Sequence, residues 1–386
     1  MNNPSENAPV VSIIVPARNE EACLGACLQS LVAQTGISFE IIVVDDDSTD
    51  RTAEIARSFP GVDVIQAGPL PDGWTGKNNA MSAGARIAKG KWLLFTDADT
   101  IHKPASLARA VAEAEQHGAD LLSYSPEQEV HGFWEKAVMP VIFAELAATY
   151  PPQAVNDATS PIAAANGQYL LISREAYDAV GGHTKIANDL LEDVAMARLV
   201  KRSGRKIFFR YGGDAVRTRM YRSFAQLKEG WTKNLALLFP KPTELAQSRF
   251  GEFVLLLVVP LMMARGTYWR SFLSVLPPMW LRWYAVVLGA GAFVAFTLCA
   301  AEFLRRMKRA HFSSWSIVWA FFGLPIFAYL LLRSERSYKK ARFDWKDRTY
   351  VYTPEEVKAL SAARFSLETP SAWRKLTGWI SNIGRT

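Results

Sequence analysis

Cysteine is scarce in this chain, with only Cys23, Cys27 and Cys299 in 386 residues. Three thiols so scattered build neither a disulfide framework nor a zinc site, and they suit a reducing compartment. The five histidines are equally dispersed, with no spacing that gathers metal ligands. Met1 to Pro9 lacks the apolar stretch of a signal peptide, so the first domain is expected to remain cytoplasmic. Internal repeats and low-complexity tracts are absent. So is any nucleic-acid motif, although a formal charge of +7 favours an anionic partner.

What the chain has in excess is apolar sequence, 49% of its residues, and it is unevenly placed. Residues 1–240 read as a soluble domain. Long apolar runs follow at Phe253–Met263, Tyr284–Ala301 and Trp315–Leu332, the last two about 18 residues long, near the lower limit for crossing a bilayer. Arg265 and Arg270 interrupt the first region, which suggests a short, re-entrant or interfacial segment, or one member of a split pair. Arg305, Arg306, Lys308, Arg309, Lys339, Lys340 and Arg342 flank the runs, where they would meet anionic headgroups. Three parts are therefore expected: a catalytic domain over 1–240, membrane-associated helices over 241–332, and a basic C-terminal segment over 333–386. Short basic segments stay inside, which places both Arg305–Arg309 and the segment from Arg333 on the cytoplasmic side. Either the run between them turns back, with Pro325 as the expected break, or it continues as a third helix with an additional crossing in the interrupted 253–281 region.

Within the first part, strands and helices alternate. Val10–Val15 precedes a helical pattern from Glu20 to Gln34, Glu40–Val44 precedes one near Thr52–Ser58, and Lys91–Phe95 follows one near Asn78–Ala88. This predicts an α/β fold with a mostly parallel central sheet covered on both faces. Ligands of such sheets bind beyond the carboxyl ends of the strands. Arg18-Asn-Glu20, Asp45-Asp-Asp47 and Asp97-Ala-Asp99 all fall there. Further on, an amphipathic helix is expected over His131–Ala148, a strand over Gln168–Ile172 and a helix from Leu190 to Arg202.

Adjacent carboxylates at Asp45–Asp47 repel one another unless they receive hydrogen bonds, and a nucleoside offers donors. Asp50 would cap the next helix. Asp97 and Asp99 are hard oxygen ligands suited to Mg2+ or Mn2+, which would neutralise a diphosphate leaving group. Their spacing puts both on one side if the strand continues. Lys77 follows a glycine loop at a helix start, a favourable place to meet phosphate, although the spacing is not that of a P-loop. Glu192-Asp193 opens a helix and offers a carboxylate base for an acceptor hydroxyl. Arg219, Trp231 and Lys233 belong to a cluster of cations and aromatics just before the apolar runs. That cluster fits either a headgroup anchor or a platform for acceptor or diphosphate. His183 after Gly181-Gly182 is read mainly as a packed histidine, with an acceptor or diphosphate contact as the alternative.

Taken together, Pro16-Ala-Arg-Asn-Glu20, Val43-Val-Asp-Asp-Asp-Ser-Thr-Asp50, Asp97-Ala-Asp99 and Glu192-Asp193 resemble the family 2 glycosyltransferases with the nucleotide-diphospho-sugar transferase (GT-A) fold. Gly73-Trp-Thr-Gly-Lys77, Arg219-Met-Tyr221, Glu229–Asn234 and Trp345–Tyr350 look like the membrane-bound branch with hopene-associated and diaponeurosporenoate glycosyltransferases. That resemblance implies a nucleoside diphosphate sugar as donor, with UDP the expected nucleotide, and a polyisoprenoid-type lipid as acceptor. It places Pro16, Ala17, Glu20, Asp45 and Asp46 at the nucleoside. Asp97, Ala98 and Asp99 go to the metal and diphosphate, and Asp193 becomes the base. Asp347 stands where the branch commonly has glycine. The Gln/Arg-x-x-Arg-Trp motif of processive relatives is absent around Trp231, which favours a single transfer over a polysaccharide synthase. A membrane protein that binds nucleotide sugar without turning it over is the remaining alternative.

Overall fold

The structure is a computed structural model that describes residues 8–264, 279–340, 342–345 and 348–351. Arg265, Arg270, Asp347 and the C-terminal segment beyond 351 lie outside the described residues.

Strands β1 (Val11–Ala17), β2 (Phe39–Asp45), β3 (Val62–Gln66) and β4 (Trp92–Phe95) alternate with helices α1 (Leu24–Val32), α2 (Thr52–Arg57) and α3 (Gly76–Ile87). Next come β5 (Thr100–His102), α4 (Ser106–His117), β6 (Leu121–Ser125), β7 (Glu127–Gln128), α5 (Phe133–Thr149) and α6 (Pro152–Asn156). The α/β unit closes with β8 (Leu170–Ser173), α7 (Arg174–Ala179), α8 (Glu192–Arg202), β9 (Ile207–Tyr211) and β10 (Val216–Thr218). The main sheet has the order β3-β2-β1-β4-β8-β6-β9, and only β8 runs against its neighbours. This is the mostly parallel sheet that the alternation implied.

Period-two alternation sorts the strand side chains to two faces. Ile13, Val15 and Val43 meet Leu24, Leu28 and Leu107 on one side, and Ile14, Ile42 and Val44 meet Ala80 and Met81 of α3 on the other. Both faces are covered, so the strands read as continuous apolar runs. Pro16 does not end β1 as its missing N–H suggested, because β4 pairs with β1 only as far as Ile14. α1 starts at Leu24 rather than Glu20, since residues 18–21 are tied to the β2–α2 loop.

After α9 (Phe224–Leu238), the described residues hold three long helices, α10 (Pro242–Ala264), α11 (Met279–Arg309) and α12 (Ser314–Lys339), followed by the antiparallel strands β11 (Arg342–Trp345) and β12 (Arg348–Val351). Each of the three is long and apolar enough to cross a membrane. α10 is a continuous helix of 23 residues, longer than the short segment expected.

Of the two courses expected for the last apolar run, α12 takes the continuous one. It passes through Pro325 without a break. Both of its halves nonetheless lie against the α/β unit. Gly323 crosses α5 so closely that a Cβ there would collide with the carbonyl of Ala137. Farther along, the fully buried Ser334 hydroxyl accepts from Ala236 N at 2.8 Å, and the Tyr338 hydroxyl donates to Lys233 O at 2.8 Å. The C-terminal end of α12 and the start of α11's basic end are thus both held on the side of the α/β unit, without the kink that the sequence suggested.

The first two long helices are tied to α5 by buried charge. Arg249 donates to Glu145 at 2.8 Å and Glu252 at 3.0 Å, while Arg306 reaches Glu145 at 3.4 Å and also pairs with Glu252. Two guanidinium groups and two carboxylates cancel, which makes such a buried cluster tolerable. By contrast, α11 exposes Val287, Leu288, Phe293 and Leu298 over much of its length. Its surface is that of a lipid-facing helix.

Candidate active site

Two loops form the nucleotide end of the cleft. Asn19 N donates to Ser48 Oγ at 3.1 Å, Thr49 N to Asn19 Oδ1 at 2.9 Å, and Glu20 N to Thr52 Oγ1 at 2.7 Å. Arg18 Nη1 donates to the Asp46 carbonyl at 2.6 Å. Asn19 and Asp47 adopt left-handed φ values of 53° and 60°, conformations that Asn and Asp accept more readily than other side chains. This stitching brings Pro16, Ala17, Glu20 and Asp46 to one wall of the cleft. Asp50 accepts from Thr52 N at 2.9 Å and from Glu21 N at 3.1 Å, but the N-cap position of α2 falls on Arg51, so Asp50 ties the two loops together instead of capping the helix.

Asp45 has a different place from the one expected. It is 3% exposed and its carboxylate accepts from Gln66 Nε2 at 2.8 Å and Ser48 N at 3.2 Å, so it braces the loop. It is not among the residues that line the cleft.

The second acidic group, Asp97-Ala98-Asp99, lies in a turn after β4, where Thr100 N donates to Asp97 O at 3.3 Å. The strand does not continue to Asp99, yet the turn delivers all three residues to the cleft. Lys77 stands opposite, on the first turn of α3, whose cap is Thr75 Oγ1 accepting from Asn78 N at 3.2 Å. Its ammonium is 2.7 Å from Asp97 Oδ1 and 2.6 Å from Glu192 Oε1. One cation therefore joins the acidic turn to the acidic helix start. Burial opposes the charge of Lys77, but Asp97 and Glu192 prevail and raise its pKa.

Asp193, beside Glu192 at the start of α8, accepts from Gly167 N at 2.8 Å and Val194 N at 2.7 Å. A Cβ at Gly167 would lie 3.1 Å from Glu192 Oε1 and 3.3 Å from Lys77 Nζ, so glycine permits this close packing. Burial, then the Glu192 charge, pushes Asp193 up to about 6. Burial raises Glu192 too, but Lys77 and Lys233 outweigh it and hold that carboxyl below the usual range. Neighbouring carboxylates with pKa values pushed apart are a common arrangement where acid–base work is done.

Arg219, Trp231 and Lys233 also line the cleft. Arg219 forms a fork with Glu135 at 3.0 and 3.1 Å, and Trp231, 3% exposed, donates to Met139 Sδ at 3.4 Å. Burial lowers the pKa of Lys233. His183 does not reach the cleft. It is 3% exposed, packs edge-on to Phe95, and shares a 2.9 Å hydrogen bond with Tyr177, and burial with the Lys77 charge lowers its pKa to about 3. The contact role weighed for it is thereby replaced by the packed one.

Sequence reasoning missed the loop Ala164-Ala-Asn-Gly-Gln168, which lines the cleft and anchors Asp193. Its run of small residues just before a strand was the available signal. The far end of the cleft was missed as well. There α5 and the α11–α12 turn contribute Phe143, Leu146, Tyr150 and His311. The whole cavity measures about 1220 Å³, above the roughly 300–1,000 Å³ of an ordinary small-molecule site.

Asp97 and Asp99 offer the oxygen donors that a hard divalent cation takes. Among the described residues, no three His, Cys, Asp or Glu gather to hold a metal by themselves. Two carboxylates fit a cation that completes its coordination on substrate phosphate.

A mostly parallel sheet with these acidic groups along its carboxyl edge is the arrangement that the resemblance to the GT-A fold implied. Residues 12–181 match the family described as Glycosyl transferase family 2. The 4,4'-diaponeurosporenoate glycosyltransferase of Staphylococcus aureus is 31% identical over 239 residues, which covers 60% of this chain and 62% of that protein. The match thus spans less than two thirds of the relative's length. Among solved structures, the mannosyltransferase PcManGT from Pyrobaculum calidifontis, in complex with GDP-Man and Mn2+, superposes with a TM-score of 0.49 at 16% identity, covering 86% of this chain and 87% of that one. Glucosyl-3-phosphoglycerate synthase from Mycobacterium tuberculosis, in complex with Mn2+, UDP and glucosyl-3-phosphoglycerate, gives a TM-score of 0.40 at 22% identity, with coverages of 59% and 78%.

Proposed function

We propose that the protein transfers a sugar, with inversion, from a nucleoside diphosphate sugar, expected to be a UDP-sugar, to a lipid acceptor at the cytoplasmic face of the inner membrane. The observation that carries this reading is the joining of Asp97, Lys77 and Glu192 beside Asp193 in one cleft that runs on to the membrane helices. The name of the staphylococcal relative supports an apolar acceptor.

Pro16, Ala17, Glu20 and Asp46 would seat the nucleoside. Asp97 and Asp99 would hold Mg2+ or Mn2+ together with diphosphate oxygens, and when bound that cation supplies neutralisation of the leaving diphosphate. Lys77 adds positive charge where negative charge develops. The acceptor hydroxyl attacks the anomeric carbon as the bond to the diphosphate breaks, and Asp193 takes the hydroxyl proton. The two backbone donors on Asp193 fix its orientation.

Stereochemistry provides the test. With a UDP-sugar of α configuration, proton NMR of the glycosylated lipid should show a β linkage. An α linkage would overturn the single-displacement reading.

A further inference from the structure

The cleft has a second arm that nucleotide and sugar do not explain. On α5 and its C-cap, Phe143, Leu146, Ala147 and Tyr150 recur at the spacing of one helix face and line the cavity. The opposite face of that helix, with Val138 and Ile142 fully buried, packs into the protein. Across the arm, at the membrane end of the α/β unit, the ring of His311 stacks on Tyr211 with centroids 4.0 Å apart and planes 6° apart. His311 sits in the short turn between α11 and α12 with a left-handed φ of 58°. That turn is the catalytic-side end of the lipid-facing helix α11, so the arm starts where a bilayer would meet the protein.

We propose that this arm receives the hydrocarbon chain of the acceptor, which leaves the membrane beneath the α11–α12 turn and runs along α5, with the Tyr211–His311 stack as its roof. The inference rests on the glycosyltransferase reading and adds the route and the length selection. The arm is apolar along α5 and closes on the Lys77–Asp193 end, so a chain lying in it points its polar head at the base. A headgroup-level anchor would need no such apolar path along α5.

The test uses the full protein in nanodiscs, a UDP-sugar with Mn2+, and butanol, octanol and hexadecanol as acceptor probes, with nucleotide release and hydrolysis of the donor by water followed in parallel. Each methylene seated in the arm is expected to raise kcat/KM by about fourfold until the arm is full. Ala147→Trp should end that rise at a shorter chain and cut hexadecanol transfer at least about tenfold relative to octanol. His311→Gly keeps the left-handed backbone and removes the roof. It should raise KM for hexadecanol more than it lowers kcat. Equal use of butanol and hexadecanol, or chain-length profiles unchanged in both variants, would overturn the arm while leaving the transferase reading in place. Donor turnover to no alcohol and not to water would overturn both.

Discussion

As the proposed base, Asp193 should carry a pH dependence whose form follows from its surroundings. A base must be ionised to act, and burial with the Glu192 charge raises its pKa from the ordinary 3.8 to about 6. That rise corresponds to about 3 kcal/mol against the charged form, at about 1.4 kcal/mol per pH unit. About a tenth of the free enzyme is then competent at pH 5 and about nine tenths at pH 7, so kcat/KM should climb about tenfold between them. The apparent value belongs to the Asp193–Glu192 pair, and its neighbours should move it in opposite directions. Glu192→Gln removes the like charge and shifts the limb to lower pH, whereas Lys77→Met removes a cation and shifts it to higher pH. Asp193→Asn should lower kcat by about 10²–10⁴-fold while donor binding persists. Stability runs the other way. Because the folded pKa lies above the unfolded one, the fold loses stability as pH rises through about 6, and Asp193→Asn should melt higher than the parent at pH 7.5 but not at pH 4. The assay is nucleoside diphosphate release across pH 5–8 with lipid extract well below saturation, where the rate reports kcat/KM. A flat profile, or an unmoved limb in Glu192→Gln, would refute the assignment of the base.

Asp99→Ala should weaken donor binding in the presence of Mn2+ far more than in its absence, and titration calorimetry showing unchanged metal-linked affinity would contradict a cation site at Asp97 and Asp99. Arg306→Met leaves Glu145 and Glu252 with one guanidinium fewer, so unfolding in detergent should become easier by about 3–5 kcal/mol, with partial recovery in Arg306→Met/Glu252→Met. A Cys placed at Ser337, near the end of α12, should react with an impermeant thiol reagent only after cells are permeabilised, because that end is bonded to the α/β unit through Ser334 and Tyr338. Labelling of sealed cells would put the basic C-terminal segment outside.

Much of this fold was legible because it rests on local pattern. β-branched runs such as Glu40–Val44 announce themselves within a few residues, the carboxyl-end rule then points at Asp46 and Asp97, and the glycine loop at a helix start points at Lys77. Side-chain direction was harder to read. Asp45 and Asp46 are neighbours with the same chemistry, and only the presence of Gln66 on the adjacent strand β3 turns Asp45 into a brace. His183 reads in the sequence mainly as a packed histidine, and Phe95, distant in sequence, together with Tyr177, six residues before it, makes it a core residue. The path of α12 depended on a contact no local pattern encodes. Gly323 reads as a helix weakener beside Pro325, but its missing Cβ is what lets α12 lie on α5. Pro325 alone suggested a break. The acceptor arm joins α5, β9 and the α11–α12 turn, three segments separated by long stretches of chain, so it emerges only in three dimensions.

The central claim is that this cleft moves a sugar from nucleotide to lipid. Its most direct measurement is mass spectrometry of lipids from proteoliposomes holding the purified protein, a bacterial lipid extract, Mn2+ and a panel of UDP- and GDP-sugars, with Asp193→Asn in parallel. The account predicts a lipid species heavier by one sugar residue, formed with one donor and missing with Asp193→Asn. Free sugar alone, a ladder of polymer, or the same product from the Asp193→Asn protein would contradict it.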